Sequence, residues 1–389
     1  MKPTLSWTTI DRDALARAAR LVADRGTGTV DEIGVLALHR QFADAFFPGT
    51  SVLHTRLRYA LFIPWIYGDL LTTGAPRPLH AVEDRELLLA TRLVAGTGGA
   101  DVIGGTLVGE GRTPVQLASA SYWSALGTWG VLRRDRWNRP FRRRALLRRM
   151  RRRTRLTETD ADTRRVVAPD APFIALPDPP SEFLAADLDF ALTHAEAVFL
   201  QDRFLSTGGA RPSLLAHLAQ RGDVTADLGF GVLEVDGFEG VLSLARRTAR
   251  LAGVARAAYA ALVERALQRD GIVGSTKHRD HLEAVLDTWG QVARSVDLSE
   301  LNAGAGLHPL LLATQHLRGV RRLDDIETAF TIRERKLKGS ARARLGSTPV
   351  ARQRRSEWDP GKTALATPLH YRWPWVRRLL CDLRDGLAQ

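Results

Sequence analysis

Thirteen arginines stand between Arg133 and Arg155, in "RRDRWNRPFRRRALLRRMRRRTR", against a single acid, Asp135. They are Arg133, Arg134, Arg136, Arg139, Arg142, Arg143, Arg144, Arg148, Arg149, Arg151, Arg152, Arg153 and Arg155. A guanidinium stays charged at any physiological pH and grips a phosphate with two parallel N–H donors. A run of them neutralises successive phosphates and releases the counterions that a nucleic acid holds. Trp137 and Phe141 lie among these cations, where an aromatic ring either stacks on a base or packs the segment home. From Arg142 to Arg153 only Ala145, Leu146, Leu147 and Met150 are apolar. A helix here is therefore expected to be charged nearly all round and to dock only on a polyanion.

A second basic tract, "RERKLKGSARARL" followed by "ARQRR", runs from Arg333 to Arg355 and includes Lys336 and Lys338. Arg56 and Arg58, in "FFPGTSVLHTRLRYALFIPWIY", are lesser candidates that reach phosphates or pair with acids such as Asp44. The competing reading is a solvated arm inflated by GC-rich codon usage. Of 56 basic residues, only Lys2, Lys277, Lys336, Lys338 and Lys362 are lysine. An acidic protein partner would answer the same charge. Sequence-specific base reading is not expected, because no element carries a recognition-helix pattern.

Other chemistries fare less well. The glycines of "GTGGADVIGGTLVGEGR" (96–112) include no lysine and no third fingerprint glycine, so a phosphate-binding loop is not expected there. His278 and His281 are three apart in "KHRDHLEAV", near Asp280 and Glu283, a spacing that could hold a divalent ion but lacks a placeable third ligand. Ser51, His54 and Arg56 sit close together without the remaining elements of a nucleophilic site. No catalytic residue, metal ligand or cofactor is assigned.

The elements that position these residues read as helices. "RDALARAARLVADRG", "EDRELLLATRLVAG" and "PVQLASASYWSALGTWGVL" carry helical apolar spacing, the last beginning at Pro114. Thr193 and Glu196 form a capping box in "LTHAEAVFLQDRFL", and Pro212 and Gly222 bracket a further helix. "DDIETAFTIRERKLKGSARARL" places acids at its start and bases at its end, as a helix dipole favours. Phe238 to Arg269 is expected to be two packed helices broken at Gly253. In the opening block, Pro48-Gly49 makes a turn and Thr50 or Ser51 caps a helix whose Leu53, Leu57, Ala60 and Leu61 face the core; Pro64 kinks or ends it. That block is expected to be core before chemistry, since its aromatic bulk is what domain interiors bury. Residues 96–112 are expected as a loop or small Gly-rich hairpin or wing. The fold class is mainly α, multi-helical, in two domains: 1–132, an Arg-rich segment and Pro-rich linker at 133–182, and 183–389.

Composition agrees with a folded protein: of 389 residues 44% are hydrophobic and 25% charged, enough apolar material for sizeable cores. Cys381 is the single cysteine, which excludes an intrachain disulfide and fits a reducing compartment. The N-terminus lacks an apolar signal region, and the best apolar run, Tyr59 to Leu71, is shorter than a bilayer span. A cytoplasmic protein without membrane partners is expected.

Several stretches also resemble a known family. "FFPGTSVLHTRLRYALFIPWIY", "DVIGG", "SASYWSALGTWGVL", "PDPPSEF", "DFALTHAEAVFLQDRF", "RERKLKGSARARL" and "LHYRWPWVRRLLCDL" are similar to an uncharacterised bacterial family, the domain of unknown function numbered six-three-six-one, from about Trp7 to Leu387. The resemblance implies no functional residue, because the family has no established activity. It implies a setting beside helicase, methylase or nuclease genes of mobile or antiphage defence loci. The tract at 133–155 is richer in charge than the family pattern there, as a lineage-specific feature would be. The expectation is a non-enzymatic, nucleic-acid-binding accessory protein, with DNA ahead of RNA as ligand and other defence proteins as partners. A scaffold for an acidic partner and a divergent nuclease are the alternatives.

Overall fold

The computed structural model describes residues 31–114, 116–135, 137–159, 172–209, 211–272 and 274–389, with the side chains of 153–159 outside that description. Fourteen α-helices and no extended strand occur among the described residues. The expected helix at 12–26 lies outside them. No described helix is long and apolar enough to cross a membrane.

The described chain forms two compact units, each assembled from stretches distant in sequence. Residues 31–41 with Glu239–His370 make one, and Phe42–Phe238 with Tyr371–Gln389 make the other. The composition shifts at 132 and 182 both fall inside the second unit. The first helix, α1, is Leu36–Phe46.

The larger unit is built around α2 (Tyr59–Thr73), in which every residue from Tyr59 to Tyr67 is buried. Pro64 lies inside this helix without ending it. A helix hydrophobic all round belongs in the centre of a domain, and α2 has α3 (Pro78–Thr97), α5 (Ala118–Thr128) and α6 (Arg143–Thr159) packed around it. The short α4 (Gly105–Gly109) follows α3. Helices α7 (His194–Leu205), α8 (Leu214–Arg221) and the last, α14 (Trp373–Leu387), pack together in the same unit. The described part of the proline-rich stretch is laid over α2: Trp65 Nε1 donates to the Pro177 carbonyl at 2.9 Å, and Phe183 packs on Phe62 and Trp65.

Expected and observed elements part at three places here. No helix is capped at Thr50 or Ser51; the chain turns through 50–57 and α2 begins only at Tyr59. Side-chain bonds draw this stretch away from a helical path: Arg56 N–H donates to Tyr122 Oη at 3.2 Å and Leu57 N–H to the Asp382 carboxylate at 2.8 Å. The Pro48-Gly49 turn is present, Gly49 sitting at φ +80°. The second departure is at 96–112, where no hairpin forms. Gly98, Gly99 and Gly104 turn left-handed, and α4 closes with Glu110 N–H on the Thr106 carbonyl. A hairpin needs two pairing strands, whereas Ile103 N–H is taken by Tyr59 Oη at 3.0 Å. The third is the start of α5, at Ala118 rather than Pro114.

The other unit centres on α9 (Glu239–Arg269), one unbroken helix of 31 residues. Gly253 does not divide it. A Cβ there would lie 3.3 Å from the Trp289 ring and 3.4 Å from the Pro368 backbone, so the glycine admits close neighbours instead of ending the helix. α10 (Lys277–Arg294), α11 (Gly304–His316) and α13 (Pro349–Ser356) pack on α9, and α12 (Asp324–Lys338) packs on α11. Fully buried Glu264 anchors α10, accepting from His278 N–H at 3.2 Å and Arg279 N–H at 3.0 Å.

Candidate nucleic-acid interface

The arginine-rich stretch folds as a tight turn followed by a helix. Arg133 N–H donates to the Pro172 carbonyl at 2.8 Å, and Arg134 faces Pro140 in an isolated antiparallel bridge. Asp135 shapes the tip between them. Its carboxylate accepts from Trp137 N–H at 2.9 Å and Arg139 N–H at 3.0 Å, an Asx-type arrangement. Asn138 adopts the left-handed conformation at φ +59°, which asparagine tolerates better than most residues. Arg134 Nη1 closes the loop on the Asn138 carbonyl at 2.9 Å.

Helix α6 is not charged all round. Leu146 and Met150, one turn apart, are fully buried, and α6 packs on α2 and α3. Two apolar residues at i and i+4 suffice to seat it, because their Cβ atoms share one face. Arg143 turns inward: its Nε donates to Tyr67 Oη at 2.6 Å, Tyr67 donates to Ser119 Oγ at 3.2 Å, and Ser119 N–H donates to the Glu86 carboxylate at 3.0 Å. Burial pushes the Tyr67 phenol and the Glu86 carboxyl above their ordinary ranges. Arg149 lies 4.5 Å over the Phe141 ring, and the Phe141 carbonyl accepts from Trp123 Nε1 at 2.9 Å.

The outward face keeps Arg144, Arg148, Arg151 and Arg152, all exposed. At positions i, i+4, i+7 and i+8 they form one stripe, opposite Leu146 and Met150. Arg142 precedes the helix and is exposed, as are Arg133, Arg134 and Arg139 at the turn. Among the described residues no carboxylate forms an ion pair with Arg142, Arg144, Arg148, Arg151 or Arg152. Arg136 lies outside the described residues, and so do the side chains of Arg153 and Arg155.

The remaining sequence candidates do not join this stripe. Arg56 makes a two-pronged pair with Asp382 of α14, at 2.8 and 3.1 Å, and approaches Asp101. Arg58 is buried, paired with Glu196 at 2.9 Å and Asp189 at 3.1 Å. Neither meets Asp44, which is taken by Arg372. In the other unit, Arg333 Nε donates to the Ile33 carbonyl at 2.8 Å. Lys338 pairs with Glu32 and Glu334, and Arg355 with Asp270. Of the three second-tract candidates, Lys336 is the one exposed at the surface.

The two chemistry-bearing pairs are likewise occupied. His278 and His281 each direct Nε2 at a backbone carbonyl, of Pro360 at 3.1 Å and Ala366 at 2.8 Å. No group of three metal-ligating side chains occurs among the described residues. His54 is buried with both ring nitrogens committed, Nδ1 to Ser51 N–H at 3.2 Å and Nε2 to the Ser121 carbonyl at 3.1 Å. That pairing fixes a neutral ring whose Nε2 carries the hydrogen. It does not serve as a base toward Ser51, whose hydroxyl instead accepts from Leu53 N–H.

Burial lowers the His54 pKa to about 4, with Arg372 nearby adding to the effect. The unfolded chain binds this proton near 6.5 and the folded chain only near 4. Between those values protonation favours unfolding. The His54 contribution is complete above pH 6.5 and declines as pH falls to about 4, by roughly 3 kcal/mol. In urea melts, the stability difference between wild type and His54→Gln is expected to shrink over that interval; a difference constant from pH 7 to 4 would contradict a neutral buried ring.

These features define a multi-helical protein with a pre-formed arginine face and no described metal cluster. No curated protein and no solved structure matches the chain. It belongs to the Family of unknown function (DUF6361), whose model matches residues 2–302. The matched span takes in the "FFPGTS" block, α2 and the whole arginine tract, and ends before α11.

Proposed function

We propose that the protein binds nucleic acid through the outward face of α6 and the preceding turn, as a binding rather than a catalytic component. The observation that carries this reading is the separation of roles within one tract. Leu146, Met150 and Arg143 fix the helix on the unit, while Arg144, Arg148, Arg151 and Arg152 stand outward on a single stripe. Like charges one turn apart destabilise a helix, so the stripe carries a local cost that a polyanion removes. A phosphate backbone supplies closely spaced negative charge in the geometry that guanidinium groups grip.

The test is a salt titration of binding to short duplex DNA, single-stranded DNA and RNA. A plot of log affinity against log salt is expected to fall steeply, with a slope of about −0.9 per phosphate contacted on duplex and about −0.7 on single strands. Absence of binding to all three at low salt would overturn the reading. Copurification with an acidic protein, insensitive to nuclease, would then identify the charge as a protein-docking face.

A further inference from the structure

We infer that Trp137 is a base-stacking residue and that the ligand of this face is single-stranded nucleic acid, an inference that rests on the nucleic-acid reading above. Trp137 is 59% exposed, and among the described residues it is the exposed member of the tryptophans, tyrosines and phenylalanines. Leaving an indole at the surface forgoes the burial that large aromatic rings usually obtain. Here the exposure is built in. The two hydrogen bonds from the backbone to Asp135, the left-handed Asn138 and the Arg134–Asn138 closure fix the turn that carries the ring.

The surroundings point to a base as the occupant. The Arg139 guanidinium lies 5.1 Å from the ring centroid, so a cation that can meet a phosphate sits beside an aromatic plane. Arg134 and Arg142 flank the same turn, and the arginine stripe of α6 follows directly in the chain. Aromatic rings interleaved with backbone-tracking cations are how proteins bind single strands, since every base offers a face to stack on. A duplex offers base edges in its grooves and keeps its faces stacked; reaching one requires unstacking a step, at a cost of a few kcal/mol.

Phe141, four residues on in the same tract, separates from Trp137 on structural grounds. It is half-buried, covered by Arg149 and held through its carbonyl by Trp123. It packs the tract onto the unit, whereas the Trp137 ring stays largely exposed to solvent.

The experiment measures binding of wild type, Trp137→Ala and Trp137→Phe to a fluorescein-labelled 12-nucleotide single strand, to the duplex of the same sequence, and to heparin as a polyanion without bases. Trp137→Ala is expected to weaken single-strand binding about tenfold, the scale of one lost base–aromatic stack. Trp137→Phe, which keeps an aromatic face, is expected to lose threefold or less. Duplex and heparin binding should stay within about twofold, and the salt slope should not change, because no phosphate contact is removed. Equal losses on single strand and duplex, or no loss on the single strand, would overturn the stacking role while leaving the arginine face intact. Failure of the wild type to bind any nucleic acid would overturn both.

Discussion

The variant carrying Arg142→Gln, Arg144→Gln, Arg148→Gln, Arg151→Gln and Arg152→Gln is expected to bind nucleic acid roughly 10³-fold more weakly than wild type at about 0.1 M salt. Its log–log salt slope should flatten by about three to four. The five residues are exposed, and the four on α6 share one stripe spanning about 12 Å of helix. A stripe of that length follows a few consecutive phosphates, and each guanidinium it contributes releases close to one counterion. Fold and stability should be almost untouched. Glutamine matches arginine in helix propensity, and the changes remove the repulsions Arg144–Arg148 and Arg148–Arg152, each worth a few tenths of a kcal/mol. Unchanged urea midpoints with lost affinity assign the stripe to binding. Affinity and salt slope within threefold of wild type would show that the ligand does not use this face. Lys336→Gln is the matched control for loss of an exposed charge in the other unit.

Signals that act within a few residues were legible in the sequence. The Thr193–Glu196 capping box forms with both of its reciprocal hydrogen bonds. The helix bracketed by Pro212 and Gly222 ends on left-handed Gly222. The acids and bases of 324–338 stand at opposite ends of α12. Aromatic bulk correctly marked Tyr59–Tyr67 as core.

What the sequence hid depends on partners far along the chain. Arg56 meets Asp382 across 326 positions, so nothing local distinguishes it from a phosphate ligand. The available trace was on the other side: Asp382 interrupts the apolar stripe of Val376, Leu379, Leu380 and Leu383, and an acid in such a stripe needs a buried partner. The same limit applied to Gly253, whose role depends on Trp289 and Pro368, and to α6, where the orientation of Leu146 and Met150 mattered more than their number. Within the arginine tract, composition located the charge; separating inward Arg143 and Arg149 from the outward stripe required the neighbours Tyr67 and Phe141.

Arg58→Ala is expected to destabilise the protein by about 3–5 kcal/mol while leaving the arginine face of any folded molecule intact. Arg58 lies at the start of α2 and Glu196 at the start of α7; both are almost fully buried and their ion pair spans 2.9 Å. Removing the guanidinium leaves the Glu196 carboxylate in the interior with one remaining hydrogen-bond donor among the described residues, Thr193 N–H at 3.0 Å. It also removes the contact with Asp189 and a cation seated over the Phe62 ring. The cost comes chiefly from the stranded charge, so cancelling that charge should recover most of it. The double variant Arg58→Met with Glu196→Gln is therefore expected to lie within about 2 kcal/mol of wild type, since an uncharged, volume-matched pair strands nothing. Urea melts of the single and double variants measure both quantities on one scale. A loss below 1 kcal/mol in Arg58→Ala would mean that Glu196 finds water or another donor. A loss of nucleic-acid affinity in the stable double variant would instead place Arg58 in the binding path, against its burial here.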